Sequence, residues 1–349
     1  MKRHYSVVFS ILIIMLTSCS SPNPGKKLAS DILYTQLNWD TSTSAWVFNV
    51  DDGKKRKIGD GLWAREWSPS GKNILLDGHS RVKRGQVWVS AADGTNLVKV
   101  FDTNEHPETA TFFPEETIGS SQTSFWLTDS LILIQPLAGP IILYDITQKK
   151  IVEVRKDAVL TDVSSGGEYW IETQLSNPNK YLLVSLNTAP LVLSKYGPAY
   201  YAYHISPNGA EIAYSVLRDN AHYIAISKID PQLGMHNEIL AKTLSKPIRD
   251  FRWSSDQNSL LYFYRDTNSK QLRCIVMSIF DGKETYNQPC ESKTDILLWS
   301  PRSDGFLTQP DSKKYFFYHL DGSMETMLEV PPETEASYQI ADWRLIEVP

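Results

Sequence analysis

The sequence is poor in the patterns that usually announce chemistry. It has three cysteines in 349 residues, Cys19, Cys274 and Cys290. No Cys-x-x-Cys occurs, so neither a zinc ribbon nor a dithiol redox motif is written in it. None of its seven histidines is paired with another one helical turn away. The spacing therefore signals no metal site, and no cofactor motif is present. A Gly-x-Ser-x-Gly elbow is missing, as is any α/β segment able to hold a catalytic triad. Basic residues form no block and are outnumbered, 35 against 40 acidic, for a formal charge of −5. Phosphate neutralisation dominates nucleic-acid binding, so no nucleic-acid partner is expected. Helical periodicity is scarce, and no apolar run approaches the roughly 20 residues that span a bilayer.

What is present begins at the N-terminus. Met1-Lys2-Arg3-His4 precedes an apolar run from Val7 to Leu16 broken only by Ser10, and Thr17, Ser18 and Cys19 follow. A basic start, a short apolar core and small residues before a cut site are the layout of a secretory signal. Leu16-Thr17-Ser18-Cys19 resembles the bacterial lipobox. That resemblance implies that residues 1–18 are removed and that the Cys19 thiol takes a diacylglycerol. The next segment, Ser20-Ser21-Pro22-Asn23-Pro24-Gly25-Lys26-Lys27, is polar and rich in Pro and Ser, so residues 19–29 are expected to form a flexible tether. Stable attachment takes more than one acyl chain, and the lipoprotein type implies two or three. The resemblance also implies inner-membrane retention when aspartate follows the cysteine. Ser20 stands there, which favours the outer membrane in a cell that has one and otherwise the outer face of the cytoplasmic membrane. Loss of Lys2 and Arg3 from the 35 basic residues leaves 33 against 40 acidic, moving the charge from −5 to −7.

From residue 30 onward, short β-branched and aromatic runs alternate with turn residues, an all-β pattern, and one phrase recurs. Trp67-Ser68-Pro69-Ser70-Gly71-Lys72 leads into Asn73-Ile74-Leu75-Leu76. It returns as Ile205-Ser206-Pro207-Asn208-Gly209, as Trp253-Ser254-Ser255-Asp256 and as Trp299-Ser300-Pro301-Arg302, each before a new apolar run. Weaker copies start at Trp126 and Val163. Each copy reads as a strand ending in a large apolar residue, a tight turn and a second strand. A second phrase tracks the first: Asp52-Gly53, Asp93-Gly94, Asp145-Ile146-Thr147, Leu186-Asn187, Asp230-Pro231, Asp281-Gly282 and Asp321-Gly322, spaced 40 to 52 residues apart. Asp-Gly between alternating runs is a strong hairpin signal. Two hairpins per period make four strands, one propeller blade.

The first phrase occurs six times and the second seven. The missing first strand is supplied by Tyr338-Gln339-Ile340-Ala341-Asp342-Trp343, which is expected to pair with Asp31-Ile32-Leu33-Tyr34 and so close the ring. The expectation is an all-β, seven-bladed β-propeller over residues 30–349, closed by its N- and C-terminal strands. Six blades is the alternative, because the Trp126 and Val163 copies are degenerate and lie only 37 residues apart.

The Trp67-Ser68-Pro69-Ser70-Gly71-Lys72 phrase and its copies resemble the repeat of TolB-like propellers, also called WD40-like repeats. The likeness covers nearly all of residues 30–349. It implies a fold that many functions share. No α/β domain precedes the propeller as it does in TolB, so that protein's role does not follow.

The recurring tryptophans are expected to pack between blades, and the Asp-Gly aspartates to cap their own turns. The position before each anchor is more ambiguous: Glu66, Phe125, Asp162, His204, Arg252, Leu298 and Asp342. It falls on the innermost strand. The ionisable members Glu66, Asp162, His204, Arg252 and Asp342 are candidate ligand-binding residues of the central channel; alternatively they satisfy one another there. Cys274 and Cys290 flank the Asp281-Gly282 turn. A three-residue loop would set 274 opposite 290, and a two-residue loop would set it opposite 289 with the thiols on opposite faces. A disulfide and two buried free thiols both remain open.

The function expected is that of a non-enzymatic, lipid-anchored envelope protein that binds another protein or a glycan. The alternative is a propeller enzyme acting on polysaccharide, lyase-like, with its site in the channel. A histidine clustered with Arg or Lys in the channel would favour that alternative.

Overall fold

A computed structural model describes residues 28–347 apart from 39, 41, 81, 107–121, 137–139, 165–168, 194–198, 231–233, 245–250, 266–270, 292–296, 312 and 330–335. The signal segment and Cys19 lie outside the described residues. Among the described residues the regular elements are all strands, 28 of them, in seven four-stranded antiparallel sheets. The fold is a seven-bladed β-propeller, and six blades is excluded. Both degenerate copies make full blades, the Trp126 copy the sheet over 123–155 and the Val163 copy the sheet over 159–192.

We number the blades along the chain. Blade 1 holds the innermost strand Ser337–Glu347, then Leu28–Leu37, Thr43–Asn49 and Lys55–Asp60. Blades 2 to 7 begin on the innermost strands Leu62–Trp67, Thr123–Trp126, Val159–Val163, Ala199–Ile205, Phe251–Trp253 and Leu297–Trp299. The two ends of the chain clasp in blade 1, where Leu28 pairs with Glu347, Ile32 with Trp343 and Leu33 with Asp342. The first strand starts at Leu28, two residues inside the segment expected to be tether. Closure leaves no open blade edge at the junction, the usual hazard of a linear sheet array.

The turn phrase works as its residues suggest. In four blades the main-chain N–H at its fifth position donates back to the carbonyl at its second: Gly71 to Ser68, Gly209 to Ser206, Gln257 to Ser254 and Ser303 to Ser300. That fifth residue has positive φ every time, 71° and 73° at the glycines but also 64° at Gln257 and 56° at Ser303. Glycine accepts that conformation without steric cost, whereas Gln257 and Ser303 hold it under strain.

Seven buried clusters match the seven blade interfaces. Trp67 packs against Leu33, Ala45 and Val47 of blade 1, Trp126 against Leu75 and Val87 of blade 2, and Trp253 against Ala213 and Ile224 of blade 5. Trp299 meets Leu261 and Val276, and Trp343 meets Leu307 and Phe317. Blade 5 inserts Ile205. Blade 4 has only Val163 at this position, and Trp170 from its second strand fills the space instead. The anchors are therefore wedges between sheets, the reading favoured by their shared register.

The topology separates two faces. One carries the turn phrases and the Asp-Gly hairpins, which are short and bonded to themselves. Asp52, Asp93, Asp281 and Asp321 each accept the main-chain N–H two residues on. The opposite face carries the links between second and third strands and the blade-to-blade connections. These vary from Gly61 alone to residues 103–122.

Candidate functional site

The seven positions before the anchors do lie on innermost strands, one per blade, and the structure shows what their side chains do. Asp342 in blade 1 accepts a hydrogen bond at Oδ2 from the main-chain N–H of Trp67 in blade 2, 3.1 Å. Glu66 in blade 2 accepts at Oε1 from the main-chain N–H of Trp126 in blade 3. Asp162 in blade 4 accepts at Oδ2 from the main-chain N–H of Ile205 in blade 5, 2.8 Å. Each acid thus binds the backbone of the next blade's anchor. Where the position is basic the next blade's anchor is still the donor, but main chain and side chain exchange roles. The Trp253 indole donates to the carbonyl of His204, 3.0 Å, and the Trp299 indole donates to the carbonyl of Arg252, 2.9 Å. Every one of these stitches runs the same way, from the anchor of one blade to the residue before the anchor on the preceding blade. Carboxylates accept main-chain N–H groups, and main-chain carbonyls accept indoles.

Around the ring the five ionisable positions form two arcs, separated by Phe125 in blade 3 and Leu298 in blade 7. In the first arc, Asp342 also pairs with Arg344, Nε to Oδ2 3.0 Å, while Arg344 donates to the Ser68 carbonyl at 2.7 Å. Burial pushes the Glu66 carboxyl up to about 7. The Arg344 charge and the Trp126 N–H pull it down, Asp342 raises it and Arg65 lowers it. In the second arc, His204 Nδ1 lies 4.0 Å from Asp162 Oδ1 and its ring stands edge-on to Phe251. Burial, reinforced by the Arg252 charge, holds the imidazole down to about 3, so it is neutral at physiological pH. The structure does bring Asp162, His204 and Arg252 onto three successive blades. Among the described residues, no three His, Cys, Asp or Glu side chains converge as metal ligands.

A second stitch between blades 2 and 3 had no repeat signal to reveal it. Asp77 is fully buried on the second strand of blade 2 and ion-pairs with Arg65. It also accepts the Ser124 hydroxyl at 2.5 Å and the Gln122 amide at 3.3 Å, both from the blade 3 side. Arg65 completes the bridge by donating to the Gln122 carbonyl, 2.6 Å. The only sequence trace is a charge set among strand apolars, Leu75-Leu76-Asp77.

Cys274 and Cys290 are joined by a disulfide, Cα to Cα 5.7 Å, but neither expected register describes it. The hairpin closes through Ser278 and Lys283, with a register shift between Val276 and Met277. The residue opposite Cys274 is therefore Gln288, not 289 or 290. Cys290 lies two positions further along, on the same side of the sheet by alternation, and the bridge runs diagonally. Both sulfurs lie in the cluster between blades 6 and 7.

No protein-family model matches the chain, and no curated protein sequence matches it. Solved structures do. TolB from Acinetobacter baumannii superposes at a TM-score of 0.51 with 12% identity, over 86% of this chain and 79% of that one. An oligogalacturonate lyase in complex with manganese gives 0.54 with 9% identity, over 87% and 86%. A putative 6-phosphogluconolactonase from Bacteroides fragilis gives 0.53 with 11% identity, over 94% and 100%. At such identity the likeness concerns the fold alone. The class defined by fold and geometry is a seven-bladed propeller, closed by its own termini and stitched from blade to blade near its axis.

Proposed function

We propose that this chain is a lipid-anchored, extracytoplasmic propeller that binds another envelope protein or a glycan, without catalysing a reaction on it. The observation that carries this reading is the use made of the channel candidates. Asp342, Glu66 and Asp162 are engaged with the backbone of the neighbouring blade, and the carbonyls of His204 and Arg252 receive neighbouring indoles. The three carboxylates held this way are scaffolding for the ring, and at His204 and Arg252 the main chain takes that part. The lipobox-like Leu16-Thr17-Ser18-Cys19 and the Pro/Ser segment after it support the anchor, and the disulfide fits an oxidising compartment.

The polysaccharide-lyase reading is favoured by one specific observation, the placement of His204 next to Arg252. A neutral buried imidazole is able to accept a proton. Its burial and its T-shaped contact with Phe251, 5.8 Å between centroids, argue for a packed group instead.

The test is chemical cross-linking on intact cells, followed by purification of the acylated chain from membranes. Binding predicts a discrete cross-linked partner or glycan that is lost when Cys19→Ala releases the chain. In parallel, purified protein is incubated with an acidic polysaccharide and a divalent cation. Unsaturated chain ends that vanish with His204→Gln would overturn the binding reading in favour of the lyase.

A further inference from the structure

We infer that the face bearing the turn phrases and Asp-Gly hairpins lies against the bilayer, and that the connection face points away from it towards the partner. This inference rests on acylation at Cys19 as proposed above.

The geometry comes from where the chain leaves the ring. Leu28 pairs with Glu347 at the end of blade 1 where the missing first turn would sit. That is the face of the turns at 68–72, 206–210, 254–258 and 300–304, close to the axis, because Ser337–Glu347 is the innermost strand. Only residues 20–27 separate Cys19 from Leu28. Fully extended they reach about 30 Å, and as a relaxed polar chain about 16 Å. To bring the acyl chains to the connection face, the segment would have to cross two inter-strand steps to the rim, roughly 10 Å. It would then have to climb the outer strand Lys55–Asp60, roughly 20 Å. Only a taut chain makes that path, at the full entropic cost of extension. The turn face needs no such path.

The two faces differ in a way that suits this orientation. The turn-face aspartates are bonded to their own hairpins, as at Asp93 and Asp321, and the hairpins have nearly uniform length. Such a surface suits apposition to headgroups without adhesion. The connection face carries links of unequal length between the described strands, from Gly61 alone to the Lys156–Ala158 link and the one between Gly78 and Gln86. Surface connections of unequal length on a rigid frame are where recognition is usually built.

The test uses the full acylated chain in phosphatidylethanolamine–phosphatidylglycerol vesicles containing an acceptor-labelled lipid. With Cys19 acylated and Cys274 bridged to Cys290, an introduced cysteine is the single free thiol for a donor dye. Lys72→Cys and Lys283→Cys label the turn face; Val82→Cys and Lys156→Cys label the connection face. All four residues are exposed, Val82 at 82%. The expected result is roughly two-fold or greater energy transfer from the turn-face dyes, given a ring roughly 25 Å thick. A flexible insertion of twenty or so residues after Ser21 should erase the difference. Equal transfer from all four dyes, or higher transfer from Val82→Cys and Lys156→Cys, overturns the orientation while leaving the anchor intact. Recovery of a chain without acyl groups, which no longer binds vesicles, overturns the anchor and the orientation together.

Discussion

Asp342 and Trp67 stand 275 residues apart in sequence, yet the Asp342 carboxylate accepts the Trp67 main-chain N–H at 3.1 Å. The bond joins the C-terminal strand to the second blade, next to the seam where the ends of the chain pair. Arg344 shares the same oxygen and reaches on to the Ser68 carbonyl, so strand closure and blade stitching meet at one carboxylate. Asp342→Ala should leave the Trp67 N–H and the Arg344 charge without their partner, at a cost of about 1–3 kcal/mol. Asp342→Asn keeps an acceptor and should cost less. Denaturant unfolding followed by tryptophan fluorescence ranks the two; equal stability of Asp342→Ala and wild type would show that the bond does not hold the seam.

Two half-buried groups near the axis should oppose each other in acid. The Glu66 carboxyl is raised from 4.5 to about 7 in the folded chain. The fold binds that proton more tightly than the unfolded chain does, so this contribution to stability is full below about 4.5 and is lost as pH rises through 7. His204 is lowered from 6.5 to about 3. Its contribution is full above 6.5 and is lost as pH falls towards 3. Between pH 4.5 and 6.5 the two slopes offset one another. Glu66→Gln, whose amide oxygen can still accept the Trp126 N–H, should make stability fall more steeply on acidification than in wild type. His204→Gln should make it fall less steeply. Thermal melts across pH 4.5 to 7 read both slopes, and parallel curves for all three proteins would remove these residues as the cause.

The ring and its closure were legible in the sequence because they rest on local chemistry repeated many times. Six turn phrases and seven hairpins counted the blades, and Tyr338–Trp343 supplied the missing strand. The Trp register indicated the wedges between sheets. Three features were hidden for physical reasons. The role of Glu66, Asp162 and Asp342 depends on which blade each carboxylate faces, and composition carries no such information. Trp170 replaces the anchor of blade 4 from a different strand, so no register indicates it. The Cys274–Cys290 register depended on a bulge at Val276–Met277, where one extra residue shifts every pair beyond it.

That bridge should contribute measurably to stability. It closes a loop with a sequence separation of 16, for which chain entropy gives about 3 kcal/mol. The double variant Cys274→Ala/Cys290→Ala retains a packed, if smaller, interface between blades 6 and 7. It should unfold at lower denaturant than the oxidised wild type and be insensitive to reductant. An unchanged midpoint on reduction of the wild type would show that the bridge constrains nothing.

Ser303 occupies with positive φ the turn position that Gly71 and Gly209 fill in blades 2 and 5. Ser303→Gly relieves that strain but adds unfolded-state entropy. The left-handed penalty is about 1–2 kcal/mol, so a net gain of about 1 kcal/mol is expected. Ser303 also accepts the Asp256 N–H at 3.0 Å, and its loss trims the gain. Ser303→Ala, which loses the hydroxyl and keeps the strain, should be destabilised, and the difference between the two variants isolates the backbone term.

The anchor is the element on which address and orientation both depend, and the mass of the N-terminal peptide tests it most directly. The account predicts that membranes yield a chain starting at Cys19, with the thiol carrying diacylglycerol and the N-terminus blocked by a further acyl group. A chain that still begins at Met1, or a processed chain with an unmodified N-terminus, would contradict it.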